Sequence, residues 1–118
     1  MNIEYRENTL TADEYLAFER LMREHLTKKE QAECSISHQL FSVTACKDDQ
    51  IVGIARLIGD AAIYWYINDV WVLPEYQGKG IGSNMVKRLI QYVKETIAPG
   101  TSVSLSLIEK KNNSHRRK

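Results

Sequence analysis

A glycine-rich run between a strand-like and a helix-like segment constrains this chain more than any other feature. The run reads QGKGIG over residues 77–82, after an apolar and aromatic stretch over 63–73 and before an amphipathic stretch over 83–95. A strand that enters a helix through such a turn gathers unpaired backbone N–H groups at one point, where the helix dipole also favours negative charge. Gly80 and Gly82 let an anion approach the backbone without an intervening Cβ. The pattern predicts an anion site, and pyrophosphate is the ligand that suits it best.

Length and composition indicate an ordinary globular domain. The chain has 118 residues, of which 43% are hydrophobic and 26% charged, so we expect one domain over 1–108 followed by a polar, basic tail over 109–118. No apolar run approaches the roughly 20 residues that span a bilayer, and the N-terminus lacks the form of a signal peptide, so we expect a cytoplasmic protein. Cys34 and Cys46 are expected to be free thiols, and no His or Cys spacing predicts a metal site.

The charge distribution argues against nucleic acid as a partner. The net charge is +1, but five of the 16 basic residues lie in 110–118. The remaining 11 basic residues face 15 acidic ones, a net of −4 over residues 1–109. A nucleic-acid-binding domain would have a basic body. We therefore expect no nucleic-acid or membrane partner, and we interpret the basic tail as a disordered end.

Hydrophobic periodicity predicts strands and helices in the order β-α-(α)-β-β-β-α-β, a mixed sheet with a local βαβ unit at the glycine turn. Residues 28–39 are compatible with a loop or a short helix. The first predicted helix begins at a capping box of Thr11 and Glu14, and its apolar stripe consists of Leu16, Phe18, Leu21, Met22 and Leu26. The other predicted elements are strands over 2–6, 40–45 and 51–58, the longest strand over 62–73, a helix over 83–95 and a strand over 101–108.

The region over 68–93 resembles the coenzyme-A loop of the GNAT superfamily of N-acetyltransferases. Residues 70–82 read VWVLPEYQGKGIG, which matches a Gln-x-x-Gly-x-Gly loop preceded by Val-x-Val-x-Pro-Glu-Tyr. Residues 2–56 follow the family more loosely. The resemblance implies a GNAT-like acyl-CoA N-acyltransferase fold of the α/β class with an α+β mixed sheet. It also implies transfer of an acetyl group from acetyl-CoA, the cosubstrate, to a primary amine of a small molecule or peptide.

Other glycine loops fit the same run less well. A Rossmann turn would need glycine where Ser83 stands, and a Walker A loop would need a Gly-Lys-Ser/Thr ending. A glycine turn that binds no ligand is the alternative to the anion site. For Lys79, a solvated side chain is the alternative to a contact with a phosphate. In the family, backbone N–H groups of the loop hold the pyrophosphate and the preceding strand pairs with the pantetheine arm. The resemblance assigns coenzyme-A binding to Val70, Trp71, Val72, Gln77, Gly78, Lys79, Gly80, Ile81, Gly82 and Ser83.

Acetyl transfer to an amine needs a group that removes a proton, because an alkylammonium has a pKa of roughly 10.4. The family often places this group on the strand before the glycine loop, where the candidates are Asp69 and Tyr66. Asn68 stands where many relatives have glutamate and cannot act as a base. A structural carboxylate at Asp69 and aromatic packing at Tyr66 are the alternatives. Strand periodicity predicts that Asp69 is buried and shares one face with Trp65, Ile67 and Trp71.

The resemblance ends after residue 108. Relatives continue into a helix, with a tyrosine that can protonate the leaving thiolate, and then into two more strands, so we expect a C-terminally truncated version of the fold. The alternative function is a catalytically impaired acyl-CoA-binding remnant that acts as a dimeric binding or interaction module. An uncovered apolar face of Val103, Leu105 and Leu107 on the last strand predicts a homodimer.

Overall fold

The computed structural model describes residues 2–23 and 27–97 together with the backbone of 104–107. A five-stranded sheet in the order β1-β2-β3-β4-β5 is antiparallel except for the parallel pair β4 and β5. This arrangement confirms the predicted α/β class and the βαβ unit at the glycine turn. The elements are β1 (Glu4–Glu7), α1 (Ala12–Met22), α2 (Lys29–His38), β2 (Phe41–Lys47), β3 (Gln50–Gly59), β4 (Tyr64–Val72), a 3₁₀ turn (Pro74–Tyr76), α3 (Ile81–Thr96) and β5 (Ser104–Leu107).

The structure decides one predicted element and corrects another. Residues 28–39, for which a loop or a short helix was predicted, contain the helix α2. The longest strand is β3 with 10 residues, whereas β4 has nine, so the prediction that the strand over 62–73 is the longest is wrong. The predicted start is also wrong, because β4 begins at Tyr64. The side chain of Asp60 accepts hydrogen bonds from the N–H groups of Ala62, Ile63 and Tyr64. This Asx-type turn takes the backbone of residues 62 and 63 away from the sheet.

The first helix begins as predicted, and its predicted apolar stripe packs on the core at Leu16, Phe18 and Met22. Thr11 Oγ1 accepts from the N–H of Glu14 at 3.1 Å, and Glu14 Oε1 accepts from the N–H of Thr11 at 3.0 Å, which completes the capping box. The predicted apolar stripe is wrong at Leu21, whose side chain points outward and is 59% exposed. Leu26 lies outside the described residues. The buried side chains of α1 are those of Tyr15, Phe18 and Glu19.

Glu19 is a fully buried carboxylate that joins the end of α1 to Thr27, just before α2, by hydrogen bonds. Glu19 Oε1 accepts from the N–H of Thr27 at 2.8 Å, and Glu19 Oε2 accepts from Thr27 Oγ1 at 2.9 Å and from Arg23 Nε at 3.0 Å. Burial alone would raise the pKa of Glu19, but the hydrogen bonds from Thr27 and Arg23 outweigh it and lower the pKa. An acidic residue can therefore occupy a position in the core.

Helices cover both faces of the sheet. On one face, Met85 and Leu89 of α3 are fully buried, and Tyr92 of α3 stacks on Phe41 of β2 with ring centroids 4.1 Å apart. On the other face, Tyr15 of α1 stacks on Trp71 of β4 with ring centroids 6.0 Å apart. Strand residues that point to either face can therefore be buried, and burial alone does not tell the two faces apart.

Several predictions concern parts of the chain outside the described residues. These are Val103, the tail over 109–118 and the side chains of Leu105 and Leu107. The homodimer therefore stays a prediction. Within the described ranges, no helix is both long and apolar enough to cross a membrane.

We predict that Glu19→Gln removes an acid-sensitive part of the stability. A carboxyl group with a lowered folded-state pKa stabilises the fold above its unfolded-state pKa of about 4.3, and this stabilisation is lost as the pH falls through the folded-state pKa. At pH 7 the substitution should lower the free energy of unfolding by about 2–3 kcal/mol. Urea unfolding from pH 7 to pH 3 should then show a weaker pH dependence than in the wild type.

The exposed carboxylate of Glu33 on α2 provides the control. Glu33→Gln should leave both the stability at pH 7 and its pH dependence close to those of the wild type. A Glu19→Gln variant with the pH dependence of the wild type would contradict this account of the buried carboxylate.

Candidate active site

The glycine turn has the backbone shape that its sequence predicts. Gly78 and Gly80 have φ angles of 77° and 84°, in the left-handed region where a side chain is disfavoured. A Cβ atom built on either glycine would meet no other atom within 4 Å. Glycine is therefore needed here for the path of the chain, and the backbone also faces open space in which a ligand could approach it.

A side chain from within the turn ties it back to the strand. Gln77 Nε2 donates to the carbonyl oxygen of Val72 at 2.9 Å, and the N–H of Gln77 donates to the carbonyl of Pro74 at 3.2 Å. The N–H of Leu73 donates to the carbonyl of Val52 on β3 at 2.9 Å. Gln77, which was predicted to bind the cofactor, thus fixes the position of the turn relative to β4.

The start of α3 provides hydrogen-bond donors for an anion. The first bond within the helix runs from the N–H of Asn84 to the carbonyl of Gly80 at 3.0 Å, so the N–H groups of residues 81–83 precede the helical ladder. Among the described residues, none of these three groups has an acceptor, and no side chain caps the helix. They border an open depression of about 270 Å³. Its lining residues are Val72, Tyr76, Gln77, Gly78, Gly80, Ile81, Gly82 and Ser83.

Lys79 is exposed and does not line this depression. Gly82 serves a different purpose from the other two glycines, because a Cβ built on it would lie 3.7 Å from Val70 and 3.8 Å from Val72. It allows the first turn of α3 to pack closely on the end of β4. The residues of the predicted loop therefore have three different positions. Some border the depression, some fix its shape, and Lys79 lies in solvent.

The strand that leads to the turn carries an extra residue. In the pairing of β4 with β3, Asn68 lies opposite Arg56 and Trp71 opposite Ile54, so two residues lie between the pairs on β4 and one on β3. This is a β-bulge, and within it Asp69 has a φ angle of 53°. Bulges bend a strand and change its twist, so β4 changes course at this point.

The described backbone of β5 pairs with the part of β4 that precedes the bulge. Its register runs from Tyr64 to Ile67. Val70, Trp71 and Val72, which were predicted to pair with the pantetheine arm, form the stretch of β4 that follows the bulge. This stretch ends at the glycine turn, so the two parts of the predicted cofactor site adjoin.

The bulge also corrects the predicted face of Asp69. Before the bulge, Ile67 lies beside Leu57, which pairs with Phe41 on the face covered by α3. After the bulge, Trp71 stacks on α1 across the opposite face. The prediction that Asp69 shares a face with Trp65, Ile67 and Trp71 is therefore wrong for Trp65 and Ile67, because the extra residue reverses the alternation. The predicted burial of Asp69 is confirmed.

Asp69 belongs to a buried polar cluster that links four elements, β3, β4, α1 and α2. Its Oδ2 accepts from Arg56 Nη1 at 3.2 Å and from the Tyr15 hydroxyl at 3.4 Å. Arg56 in turn donates to Gln39 Oε1 at 2.8 Å, to Ser35 Oγ at 2.7 Å and to the Ser35 carbonyl at 3.1 Å. Burial, helped by the nearby charge of Asp69, raises the pKa of Tyr15 to about 12. Tyr15 is therefore a neutral hydrogen-bond donor at physiological pH.

Tyr66, the second candidate for proton transfer, lies apart from this cluster. It is partly buried and stacks on Tyr64 with ring centroids 6.5 Å apart. It pairs with Ile58, which by strand alternation points to the same face of β3 as Arg56. Tyr66 and Asp69 thus lie on one face of the sheet, and within the part of the chain that the structure describes no hydrogen bond joins them. Among the described residues, no three side chains of His, Cys, Asp or Glu lie together in a group that could hold a metal ion.

The family model for the acetyltransferase (GNAT) family matches residues 6–117. The chain belongs to the GNAT acetyltransferase family. In fold, this GNAT protein is similar to a probable acetyltransferase of unknown function from meticillin-resistant Staphylococcus aureus. The two superpose with a TM-score of 0.80 and 29% sequence identity over 93% of this chain and 81% of the other.

Two further relatives share part of the fold or sequence. The PaiA N-acetyltransferase from Thermoplasma acidophilum, solved in complex with coenzyme A, matches with a TM-score of 0.63 and 19% identity over 80% of this chain and 74% of its own. GCN5-related N-acetyltransferase 2, a chloroplastic protein of Arabidopsis thaliana, is 40% identical over 45 residues. That alignment spans 38% of this chain and 17% of the plant protein, so this curated relative is matched over a small part of its length.

Proposed function

We propose that this GNAT protein binds acetyl-CoA at the glycine turn and transfers the acetyl group to a primary amine of a small molecule or peptide. The observation that carries the proposal is the left-handed turn at Gly78 and Gly80, which leaves N–H donors beside an open depression at the end of β4. A pyrophosphate needs several backbone donors that no side chain screens. The end of β4, where Val70 and Val72 adjoin the glycine turn, is the part of the strand that we assign to the pantetheine arm by the resemblance to the family.

Two comparisons support acetyl-CoA as the ligand. The chain belongs to a family of acetyltransferases, and a structure with the same fold was solved with coenzyme A bound. In the proposed reaction the amine nitrogen attacks the thioester carbonyl, a C–N bond forms, the C–S bond breaks and coenzyme A leaves as the thiol. The ammonium proton must leave before the attack. The protein contributes mainly by positioning the two substrates and polarising the thioester carbonyl.

Gly80 offers a test of the ligand site that separates charge from shape. Asp and Asn have nearly the same size, and both adopt left-handed φ angles more readily than most residues. Gly80→Asp should abolish coenzyme-A binding, because its carboxylate would repel the pyrophosphate. Gly80→Asn should weaken binding less. Isothermal titration calorimetry measures both affinities, and circular dichroism shows whether each variant keeps the native fold.

Equal affinities of Gly80→Asp and wild type for coenzyme A would contradict the assignment of this turn. A wild-type protein that binds coenzyme A but releases no thiol from acetyl-CoA with polyamines, aminoglycosides, arylalkylamines or peptide N-termini would favour the binding-module alternative.

For the proton, we propose Asp69 and Tyr66 as the candidate acceptors and predict distinct behaviour of their variants. If Asp69 accepts the proton, Asp69→Asn should slow turnover at neutral pH by roughly 10²-fold. The loss should shrink as the pH approaches the amine pKa of roughly 10.4, where the nucleophile is already neutral. Tyr66→Phe keeps the ring and removes the hydroxyl, and serves as the matched variant. Initial rates of thiol release from pH 6 to pH 10 measure both profiles.

The shape of the profile decides the assignment. A pH-dependent loss in one variant alone identifies that residue as the acceptor. If the turnover rate of Asp69→Asn is reduced by the same factor at every pH, Asp69 does not accept the proton and its role is structural.

A further inference from the structure

The ion pair between Arg56 and Asp69 lies at the bulge of β4. Arg56 is the residue of β3 that pairs with Asn68, and the pairing shift falls between Ile54 and Arg56. Arg56 Nη1 and Asp69 Oδ2 are 3.2 Å apart, and each side chain is 5% exposed. Two opposite charges that are almost fully withdrawn from water thus lie at the one point where the strand departs from regular pairing.

The backbone at Asp69 needs such support. Its φ angle of 53° lies in the left-handed region, where L-residues other than glycine are disfavoured and persist only when their surroundings hold them. Asp69 is also the residue at which the alternation of β4 reverses. Were the bulge to relax into regular pairing, Val70 and Val72 would leave the face packed by Gly82, and the glycine turn would move with them.

Arg56 is suited to hold the bulge because it is itself fixed from several sides. Besides Asp69, its guanidinium donates to the side chain of Gln39 and to both the hydroxyl and the carbonyl of Ser35. It also lies 5.2 Å from the centroid of the Tyr15 ring. The planar guanidinium thus joins β3, β4 and α2 at one point, and α1 contacts it through Tyr15.

We propose that Arg56 is a positioning residue for coenzyme A: through its ion pair with Asp69 it fixes the bulge, and thereby keeps the end of β4 and the glycine turn in a binding-competent arrangement. The proposal rests on the proposed function. It concerns cofactor binding alone and holds whichever group accepts the proton from the amine.

A double-mutant cycle separates positioning from a role in folding alone. Arg56→Met and Asp69→Asn each leave one buried charge without its opposite, which destabilises a fold, whereas the double variant leaves neither charge. Asn keeps the size of Asp and tolerates the left-handed backbone. Thermal unfolding measures stability, and calorimetric titration with coenzyme A measures affinity below the melting temperature of each variant.

We expect both single variants to be less stable than the wild type and to bind coenzyme A at least about tenfold more weakly, because a small displacement of the site weakens every contact at once. The double variant should recover most of the stability but not the affinity. Arg88→Met is the control, because it breaks the partly exposed pair of Arg88 with Glu7, at 3.0 Å, on the other face of the sheet. Its affinity should equal that of the wild type.

Two results would overturn the proposal: affinity that recovers together with stability in the double variant, or Arg56→Met that binds as tightly as the wild type. If Arg56→Met does not fold, Arg56→Lys and the double variant decide the question by the same criteria, since Lys keeps the charge but loses the planar fork. A wild-type protein that fails to bind coenzyme A would instead contradict the proposed function itself.

Discussion

The extra residue in β4 sets the geometry on which the rest of the candidate site depends. It lies between the Asn68 and Trp71 pairs with β3, shortly after the residues of β4 that pair with the described part of β5. It also turns Trp71 toward α1 while Val70 and Val72 face α3. One irregularity thus changes the course of the strand and places its end against the helix that begins at the glycine turn.

The buried charges of this protein are arranged around that irregularity and the adjoining helices. Arg56 and Asp69 form an ion pair at the bulge, and Glu19 accepts hydrogen bonds from Arg23 and Thr27 at the end of α1. Arg23 in turn lies over the ring of Trp71, 5.2 Å from its centroid. Buried charges are costly unless they are paired and hydrogen-bonded, so their presence around β4 indicates a fold that fixes this strand from several sides.

The features that local chemistry determines could be predicted from the sequence. The capping box of Thr11 and Glu14 and the left-handed turn at Gly78 and Gly80 each depend on a few neighbouring residues with strong conformational preferences. The order of strands and helices follows from hydrophobic periodicity in the same way. The family assignment rests on the glycine turn in its strand–turn–helix setting, and the match of the GNAT family model over residues 6–117 confirms it.

The features that distant residues determine could not be predicted. A bulge in β4 depends on how the strand pairs with β3, so regular alternation gave Asp69 the wrong neighbours. Arg56 and Glu19 were missed because each is a single charged residue in a locally ordinary element, and its burial depends on partners elsewhere in the fold. The lone arginine in the otherwise apolar stretch over 51–58 was the one signal in the sequence that something buried must pair with it.

The central claim is that the backbone of the glycine turn holds the pyrophosphate of coenzyme A. Titration of the ¹⁵N-labelled protein, followed by NMR, tests this claim most directly when coenzyme A is compared with pantetheine, which lacks the pyrophosphate. We predict that coenzyme A shifts the amide resonances of residues 78–83 strongly, whereas pantetheine shifts mainly those of 68–72. Shifts by coenzyme A that leave residues 78–83 unaffected would contradict the account.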